Sequence, residues 1–249
     1  MENEQIHVVT AAILVIGDEI LSGRTKDQNI GYIASHLTEW GIDLKEVRIV
    51  PDEEDRIVEA VNALRTRYTY VFTSGGIGPT HDDITAESIA KAFGVPVHKH
   101  PKAMAAMEAH YPKGEFSEAR QRMARVPLGA DLIDNKISIA PGFIMENVHV
   151  MAGVPKIMQA MMQALAPSLE RGTKIISQSV DLPRPESSIA LQLQQLQHDH
   201  PQAMIGSYPQ VKDGKFSTQI VVRARKLDVL QSALTDVRAA VDAAMKRNS

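Results

Sequence analysis

The sequence predicts an α/β fold: a three-layer sandwich with a mostly parallel sheet, followed by a small α+β domain. Three observations lead to this prediction. Thr10–Ile16 is a continuous apolar run, which is typical of a strand covered on both faces. Strand and helix patterns then alternate up to Phe93, an order that favours parallel strands with helices on both sides of the sheet. Beyond about residue 170 the order becomes β-α-β-β-α, which is typical of an antiparallel sheet covered on one side.

The first domain, placed at residues 1–170, has a local signal for each element. Gly41 and Gly94 end two of the helices, and Pro155 suits a first helical turn because its missing N–H is not needed there. The predicted elements are strand Thr10–Ile16, helix Asp27–Trp40, strand Leu44–Val50, helix Glu53–Arg67, strand Tyr68–Ser74, helix Ile84–Phe93, a broken helix over Pro101–Arg125, the strand pair Phe143–Glu146 and His149–Met151, and helix Pro155–Leu165.

The second domain, placed at residues 171–249, is predicted to contain three strands and two helices. They are strand Lys174–Val180, helix Glu186–His198, strand Ala203–Tyr208, strand Lys215–Arg225 and helix Leu227–Lys246. Lys215–Arg225 alternates between polar and apolar residues, and we predict an edge strand that pairs across a two-fold axis. The sequence therefore predicts a homo-oligomer, a dimer or a trimer.

Composition excludes several classes of protein. The chain has 249 residues, of which 44% are hydrophobic and 23% charged, an ordinary globular composition. The net charge of −3 and the 4% aromatic content argue against a nucleic-acid partner. The absence of cysteine removes disulfides and thiolate chemistry, and no apolar run reaches membrane-spanning length. We expect a cytoplasmic protein with no nucleic-acid or membrane partner.

A glycine-rich segment, TSGGIGPTHDDIT at Thr73–Thr85, follows the third predicted strand. Parallel sheets bind ligands at the carboxyl ends of their strands, where residues 17–19, 51–53 and 75–83 should meet. Glycines let the backbone approach a ligand, and the next helix offers free N–H groups to an anion. The segment is neither a lysine-bearing P-loop nor a Rossmann fingerprint. The predicted phosphate ligands are Thr73, Ser74, Gly75, Gly76, Gly78 and Thr80.

Two adjacent carboxylates, Asp82 and Asp83, close this segment. They would repel a phosphate unless a cation lies between, and magnesium-type ions bind one or two carboxylates together with phosphate oxygens. For Asp83, capping of the following helix is an equally good explanation. The pair, with Asp18 and Glu19 expected on the same rim, favours a metal-binding and catalytic role for Asp82 and Asp83.

Four motifs identify a family resemblance. They are GDEILSG (Gly17–Gly23), DQN (Asp27–Asn29), TSGGIGPTHDDIT, and APGF with AGVP (Ala140–Phe143 and Ala152–Pro155). Over about residues 10–165 the chain resembles the molybdopterin-binding domain family. It looks most like the N-terminal domain of the competence/damage-inducible group, and it is also similar to the domain fused to eukaryotic FAD synthases.

The resemblance implies a pterin or nucleotide ligand at the strand ends. It implies that Asp18, Glu19, Pro141 and Gly142 line the site together with the glycine segment. In the competence-related branch it implies hydrolysis of a dinucleotide pyrophosphate such as ADP-ribose or FAD, with magnesium, manganese or cobalt held by Asp82 and Asp83. The alternatives are molybdopterin binding or adenylyl transfer in molybdenum-cofactor metabolism, and a member without catalysis.

Some features fit this pattern less closely. Related sequences have a glycine-bearing stretch before APGF, whereas this chain has Asn135–Ile139, which would place Lys136 near the ligand. His81 is expected to be a solvated loop histidine. Arg122 and Arg125 are predicted three apart on one helix face, where they could bind a phosphate, although a surface salt bridge is the commoner role.

Overall fold

The computed structural model describes residues 6–212 and 214–246. Residues 8–172 form one compact unit, and the described residues from Thr173 onward form a second unit together with Ile6 and His7. Within the second unit, His7 N donates to Thr173 Oγ1 at 3.0 Å and Thr173 N donates to His7 O at 2.8 Å. This pair of hydrogen bonds joins the early residues to the start of the second unit.

The first unit contains eight strands and seven helices among its described residues. They are β1 (Val9–Ile16), α1 (Asp18–Leu21), α2 (Asn29–Glu39), β2 (Ile42–Val50), α3 (Glu54–Arg65), β3 (Tyr70–Ser74), α4 (Thr85–Phe93), β4 (Val97–Lys99), α5 (Pro101–His110), α6 (Glu118–Arg122), β5 (Arg125–Pro127), β6 (Asp131–Ile133), β7 (Gly142–Met145), β8 (Val148–Met151) and α7 (Pro155–Leu165).

A six-stranded sheet in the order β2-β1-β3-β8-β7-β6 forms the centre of this unit. The first four strands are parallel to one another, β7 is antiparallel to β8, and β6 is antiparallel to β7. Along β1, Ile13 packs with α2 and α7 on one face, whereas Leu14 packs with α3 and α4 on the other. The predicted three-layer α/β fold is therefore confirmed, and the carboxyl ends of β1, β3 and β8 meet at one edge.

The second unit is a small α+β domain with its own core. Its elements are β9 (Ile176–Leu182), a 3-10 turn (Glu186–Ser188), α8 (Ala190–Asp199), β10 (Met204–Lys212), β11 (Lys215–Ala224) and α9 (Leu227–Lys246). The strands form an antiparallel sheet in the order β10-β11-β9, with Ile220 and Leu234 fully buried in the core. The predicted β-α-β-β-α order is present.

The predicted edge position of Lys215–Arg225 is wrong. β11 is the central strand, because β10 pairs along one of its sides and β9 along the other. Alternation along a strand reports which face is covered but not how many strands lie beside it, so the pattern could not distinguish a centre from an edge. The free strand edges of this sheet belong to β9 and β10.

The prediction of one broken helix over Pro101–Arg125 is also incomplete. The segment contains α5 and α6, but it ends in β5, which pairs with β4. Arg122 is the last residue of α6 and Arg125 is the first of β5, so the two arginines do not share a helix face. A three-residue strand is too short to show a period, which is why the sequence did not reveal it. No helix in the described part of the chain is long and apolar enough to cross a membrane.

Candidate functional site

A cavity of about 520 Å³ lies at the carboxyl ends of β3 and β8. Its walls come from the glycine loop (residues 75–83), from residues 138–141 and from the turn at residues 152–155. The lining residues include Glu19, Thr25, Gly75, Gly76, Ile77, Gly78, Pro79, Asp83, Ser138, Pro141, Gly153 and Met161. The cavity is therefore at the sheet edge where ligands of parallel sheets bind.

The first two glycines of the glycine loop are required by its shape. Gly75 has φ of 116° and Gly76 has φ of 67°. A Cβ on Gly75 would overlap the carbonyl oxygen of Ile16, and a Cβ on Gly76 would overlap Oγ1 of Thr85. Thr85 stabilises the turn because its Oγ1 donates to Gly75 O and its N donates to Gly76 O, both at 3.0 Å.

Asp83 holds the rest of the glycine loop in place. Its Oδ1 accepts from Gly78 N at 2.6 Å, and its Oδ2 accepts from Thr80 N at 2.8 Å and from Thr80 Oγ1 at 2.5 Å. Both carboxylate oxygens thus accept hydrogen bonds inside the loop, an arrangement that favours a positioning role for Asp83, whose predicted metal-binding role stays a prediction. The N–H groups of Gly76 and Ile77 have no acceptor within the described residues, which leaves them available to an anion.

Asp82 is in a different environment from its neighbour. Its side chain is 62% exposed and does not line the cavity. His81, whose side chain is 98% exposed, has its Nδ1 4.0 Å from Asp82 Oδ1, which matches the expected solvated loop histidine. Hydrogen bonding with Thr80, which also donates to Asp83 Oδ2, lowers the pKa of Asp82. Of the two aspartates, Asp83 is the one that lines the cavity.

A further carboxylate, Asp52, lies near Asp18 and Glu19 at this edge of the sheet and was absent from the predicted site. Asp18 N donates to Asp52 Oδ2 at 3.0 Å, which joins the ends of β1 and β2. Burial raises the pKa of Asp52, and the charges of Asp18, Glu19 and Asp82 raise it further, although the Asp18 hydrogen bond opposes the shift. Its position directly after the second strand, at the same edge as Asp18, was the sequence signal that could have found it.

The acidic rim consists of Asp18, Glu19, Asp52 and Asp82. The negative charges of the other three carboxylates raise the pKa of Asp52, and a cation at this rim would relieve that repulsion. Within residues 6–212 and 214–246, no three Asp, Glu, His or Cys side chains are placed so that they could hold a metal ion by themselves. Any ion at this rim would need further oxygen ligands, from water or from the bound molecule.

Three predicted ligands lie beneath the cavity rather than at its surface. Thr73 and Ser74 are 0% and 1% exposed. Ser74 Oγ accepts from Asn29 Nδ2 at 2.8 Å and donates to Ala152 O at 3.3 Å, so its hydroxyl joins β3 to the turn after β8. Gly142 is also buried, because a Cβ there would overlap Val150 O. These positions favour structural roles for all three residues.

The segment before APGF also differs from expectation. Lys136 lines a second cavity of about 600 Å³, not the cavity at the glycine loop. The side chain that this segment presents to the first cavity is Ser138, and Pro141 borders both cavities. The expected effect of Lys136 on the ligand therefore has no support from its position. Ile139, in contrast, has φ of 63°, a left-handed conformation that is unfavourable for a β-branched residue.

The fold and the site together define a class of protein: an α/β domain with a glycine-lined cavity at the carboxyl ends of its parallel strands, the edge where ligands of such sheets bind. The comparisons give the family. The chain belongs to the molybdopterin-binding domain family, because a family profile described as "Probable molybdopterin binding domain" matches residues 12–171. A second profile, described as "FAD synthase, middle domain", matches residues 174–248. The resemblance predicted from the motifs is confirmed.

Relatives and solved structures agree with this assignment. A protein of Archaeoglobus fulgidus is 35% identical over 200 residues, which cover 79% of this chain and 84% of that one. A "Probable FAD synthase" of Caenorhabditis elegans is 29% identical over 255 residues, covering 92% of this chain but 49% of that protein. The crystal structure of "the protein CinA with unknown function" from Thermoplasma acidophilum has a TM-score of 0.61 at 32% identity, covering 65% of this chain and 98% of that one.

Proposed function

We propose that the protein binds a dinucleotide pyrophosphate at the glycine loop and hydrolyses it with the help of a divalent ion. The substrate class is ADP-ribose or FAD, and the ion is magnesium, manganese or cobalt. One observation supports this most strongly: the uncommitted N–H groups of Gly76 and Ile77 lie beside an acidic rim. Phosphate oxygens suit the N–H groups, and a cation between phosphate and carboxylates removes their repulsion.

The donor set fits a hard divalent cation. Carboxylate oxygens are the ligands such ions prefer, and the raised pKa of Asp52 reflects burial together with the negative charges of Asp18, Glu19 and Asp82. Asp52 and Asp82 would hold the ion, with Asp18 beside them. When bound, the ion would neutralise the diphosphate and lower the pKa of a bound water. Asp83 keeps the glycine loop in the conformation that presents its N–H groups.

The reaction adds one water across the bridging P–O bond. The oxygen of water bonds to one phosphorus, and the bridging oxygen leaves with the other. ADP-ribose would give AMP and ribose 5-phosphate, and FAD would give AMP and FMN. A carboxylate of the acidic rim that does not hold the ion would accept the proton that water loses.

Turnover with purified protein tests the proposal. ADP-ribose and FAD are incubated with each metal, and AMP is measured by chromatography. We expect Asp52→Asn and Asp82→Asn to lower kcat by about 100-fold or more. Asp55→Asn is the matched control, because Asp55 is exposed on α3 and pairs with Lys91. No AMP from the wild type with any metal would exclude the proposed reaction, and equal AMP production by wild type and Asp52→Asn would exclude the role of Asp52.

Adenylyl transfer is a second candidate function. The match of residues 174–248 to the FAD synthase middle domain favours it, as does the similarity to the Caenorhabditis elegans protein, of which this chain spans about half the length. An acceptor phosphate, on FMN or molybdopterin, would attack the α-phosphorus of ATP and release pyrophosphate. Incubation with ATP and either acceptor, followed by mass spectrometry, distinguishes the two reactions. An adenylylated product without AMP release from ADP-ribose would favour transfer.

Three further expectations belong to this proposal. A member of the family without catalysis would show no measurable nucleotide affinity, so a saturable binding curve would count against that alternative. The homo-oligomer, if it forms through the small sheet, would use the edges of β9 or β10 rather than β11. A monomeric mass in solution scattering would exclude the oligomer.

A cytoplasmic location would be tested by fractionation of cells that express the protein.

A further inference from the structure

Arg122 lies against the glycine loop without a partner for its charge. Its side chain lines a crevice of about 10 Å³, roughly the room for one water, together with Gly76, Gly78 and Asp83. Those three residues also line the larger cavity, so the crevice adjoins it. The Nε of Arg122 is buried and has no hydrogen-bond partner. Among the described residues, no ion pair reaches this guanidinium.

The two neighbouring arginines both have ion-pair partners, so the missing ion pair is particular to Arg122. Arg125 forms an ion pair with Glu87, and its Nε donates to the carbonyl of Arg122 at 3.3 Å. Arg120 pairs with Glu115 at 3.3 Å and lies over the ring of Tyr111, 4.3 Å from its centroid. Arg122 alone of these three lacks a compensating carboxylate, although its Nε is withdrawn from water.

Such an arrangement is costly in the ligand-free protein. A buried donor without an acceptor carries a desolvation penalty, and the penalty is larger when the group is charged. A sheet edge that binds an anion is the setting in which this cost is recovered, because the anion supplies the missing acceptors. Planar guanidinium groups form paired hydrogen bonds with phosphate oxygens.

The distribution of charge around the glycine loop gives the ligand a direction. The acidic rim, with Asp18 and Asp52, lies beside Gly76, whereas Arg122 reaches the loop from the crevice between Gly76 and Gly78. A diphosphate has oxygens for both sides: some for a cation at the acidic rim and some for a guanidinium in the crevice. A neutral ligand would satisfy neither side.

We propose that Arg122 is a phosphate-binding residue that donates hydrogen bonds to a non-bridging oxygen of the substrate's diphosphate on the crevice side of Gly76 and Gly78. The inference rests on the proposed ligand site at the glycine loop, and it does not require hydrolysis. It also predicts selectivity. Arg122 should strengthen the binding of ADP and ADP-ribose, and it should contribute nothing to the binding of adenosine.

Calorimetric titration of Arg122→Gln tests the inference, with Arg120→Gln as the matched control from the same helix. The probes are ADP, ADP-ribose and adenosine, each in magnesium-containing buffer. We expect Arg122→Gln to raise the Kd of ADP and ADP-ribose about tenfold or more and to change that of adenosine less than about twofold. Arg120→Gln should leave all three unchanged. The ligand-free Arg122→Gln protein should unfold at the same or a higher temperature, because an unpartnered buried donor is removed.

The possible results separate this inference from the proposed reaction. A Kd for ADP within about twofold of wild type in Arg122→Gln would overturn the inference, as would an equal loss for adenosine accompanied by a lower unfolding temperature. A wild-type protein that binds ADP but never releases AMP would defeat the hydrolase proposal, and the Kd ratio would still decide the role of Arg122. A wild-type protein with no affinity for ADP or ADP-ribose would overturn both.

Discussion

Two loops border the same cavity and are organised in the same way for different purposes. The glycine loop is held by Asp83, which accepts hydrogen bonds from Gly78 and Thr80. The asparagine loop (residues 135–140) is held by Asn135, whose Oδ1 accepts from Ile137 N at 3.0 Å and Ser138 N at 3.3 Å. In each loop one side chain replaces the backbone pairing that a strand would supply.

The loops differ in what they leave unused. Asn135 Nδ2 also donates to Ser138 Oγ at 2.6 Å and to Ala140 O at 2.8 Å, so both ends of its side-chain amide are hydrogen-bonded within the loop. The glycine loop keeps the N–H groups of Gly76 and Ile77 unpaired. The asparagine loop is therefore built as a rigid wall and the glycine loop as a binding surface. The glycine loop needs glycines where the chain turns left-handed, because a Cβ would overlap neighbouring atoms there, whereas the asparagine loop has Ile139 in a left-handed conformation.

The largest predicted effect is on Gly75. Gly75→Ala would place a Cβ on the carbonyl oxygen of Ile16 at φ of 116°, so we expect no folded protein or a loss of about 4 kcal/mol or more in the free energy of unfolding. Gly23→Ala is the control, because Gly23 has φ of 71° but open space around it. There we expect a cost of about 1 kcal/mol. Equal stabilities in urea denaturation would contradict the account of the glycine loop.

The second prediction concerns how the free energy of unfolding depends on pH, which must be held fixed when variants of the two loops are compared. His149 lies in β8, where its ring packs against Tyr70 and Phe72, and burial lowers its pKa to about 4. The folded protein keeps the imidazole neutral, whereas the unfolded chain binds a proton below about pH 6.5. The free energy of unfolding should therefore fall by about 3 kcal/mol as pH falls from 6.5 to 4, measured against His149→Phe, which lacks this group. An identical pH dependence in both proteins would refute the prediction.

The third prediction separates stability from binding. Asn135→Ala should lower the free energy of unfolding by about 2 kcal/mol, because buried partners lose their hydrogen bonds. Its effect on ADP affinity should be small. Asp83→Ala should lower stability by about 1 kcal/mol, since Thr80 is exposed, but it should abolish ADP binding by releasing the glycine loop. The reverse pattern in denaturation and titration would show that the two loops have been assigned the wrong way round.

The smallest effect is expected at Ile139. Ile139→Gly removes a half-buried side chain but also relieves a left-handed β-branched residue. These terms oppose each other, so the free energy of unfolding should stay within about 1 kcal/mol of wild type. A loss of 3 kcal/mol or more in thermal unfolding would mean that packing, not backbone strain, dominates this position.

Local signals predicted much of this fold. The apolar run before Gly17 is a strand buried on both faces, Pro155 begins α7, and Leu227–Lys246 is a helix with the predicted bounds. Each of these depends on residues that are near one another in sequence. The central position of β11 and the strand β5 depend instead on partners far along the chain, which no local period reports.

The site was predictable to a similar extent. The glycine segment marked the edge of the sheet at which the cavity lies, because strand order and glycine placement are local features. The sequence could not predict that Asp83, and not Asp82, accepts from Gly78 N, since this depends on how the loop closes. The missing partner of Arg122 depends in the same way on the folded surroundings of its side chain.

A crystal structure of the protein with magnesium and a non-hydrolysable methylene analogue of ADP-ribose tests the central claim most directly. We predict that a phosphonate oxygen accepts hydrogen bonds from the N–H groups of Gly76 and Ile77, with the ion between the diphosphonate and Asp52. A ligand bound elsewhere, with those N–H groups facing only water, would contradict the account.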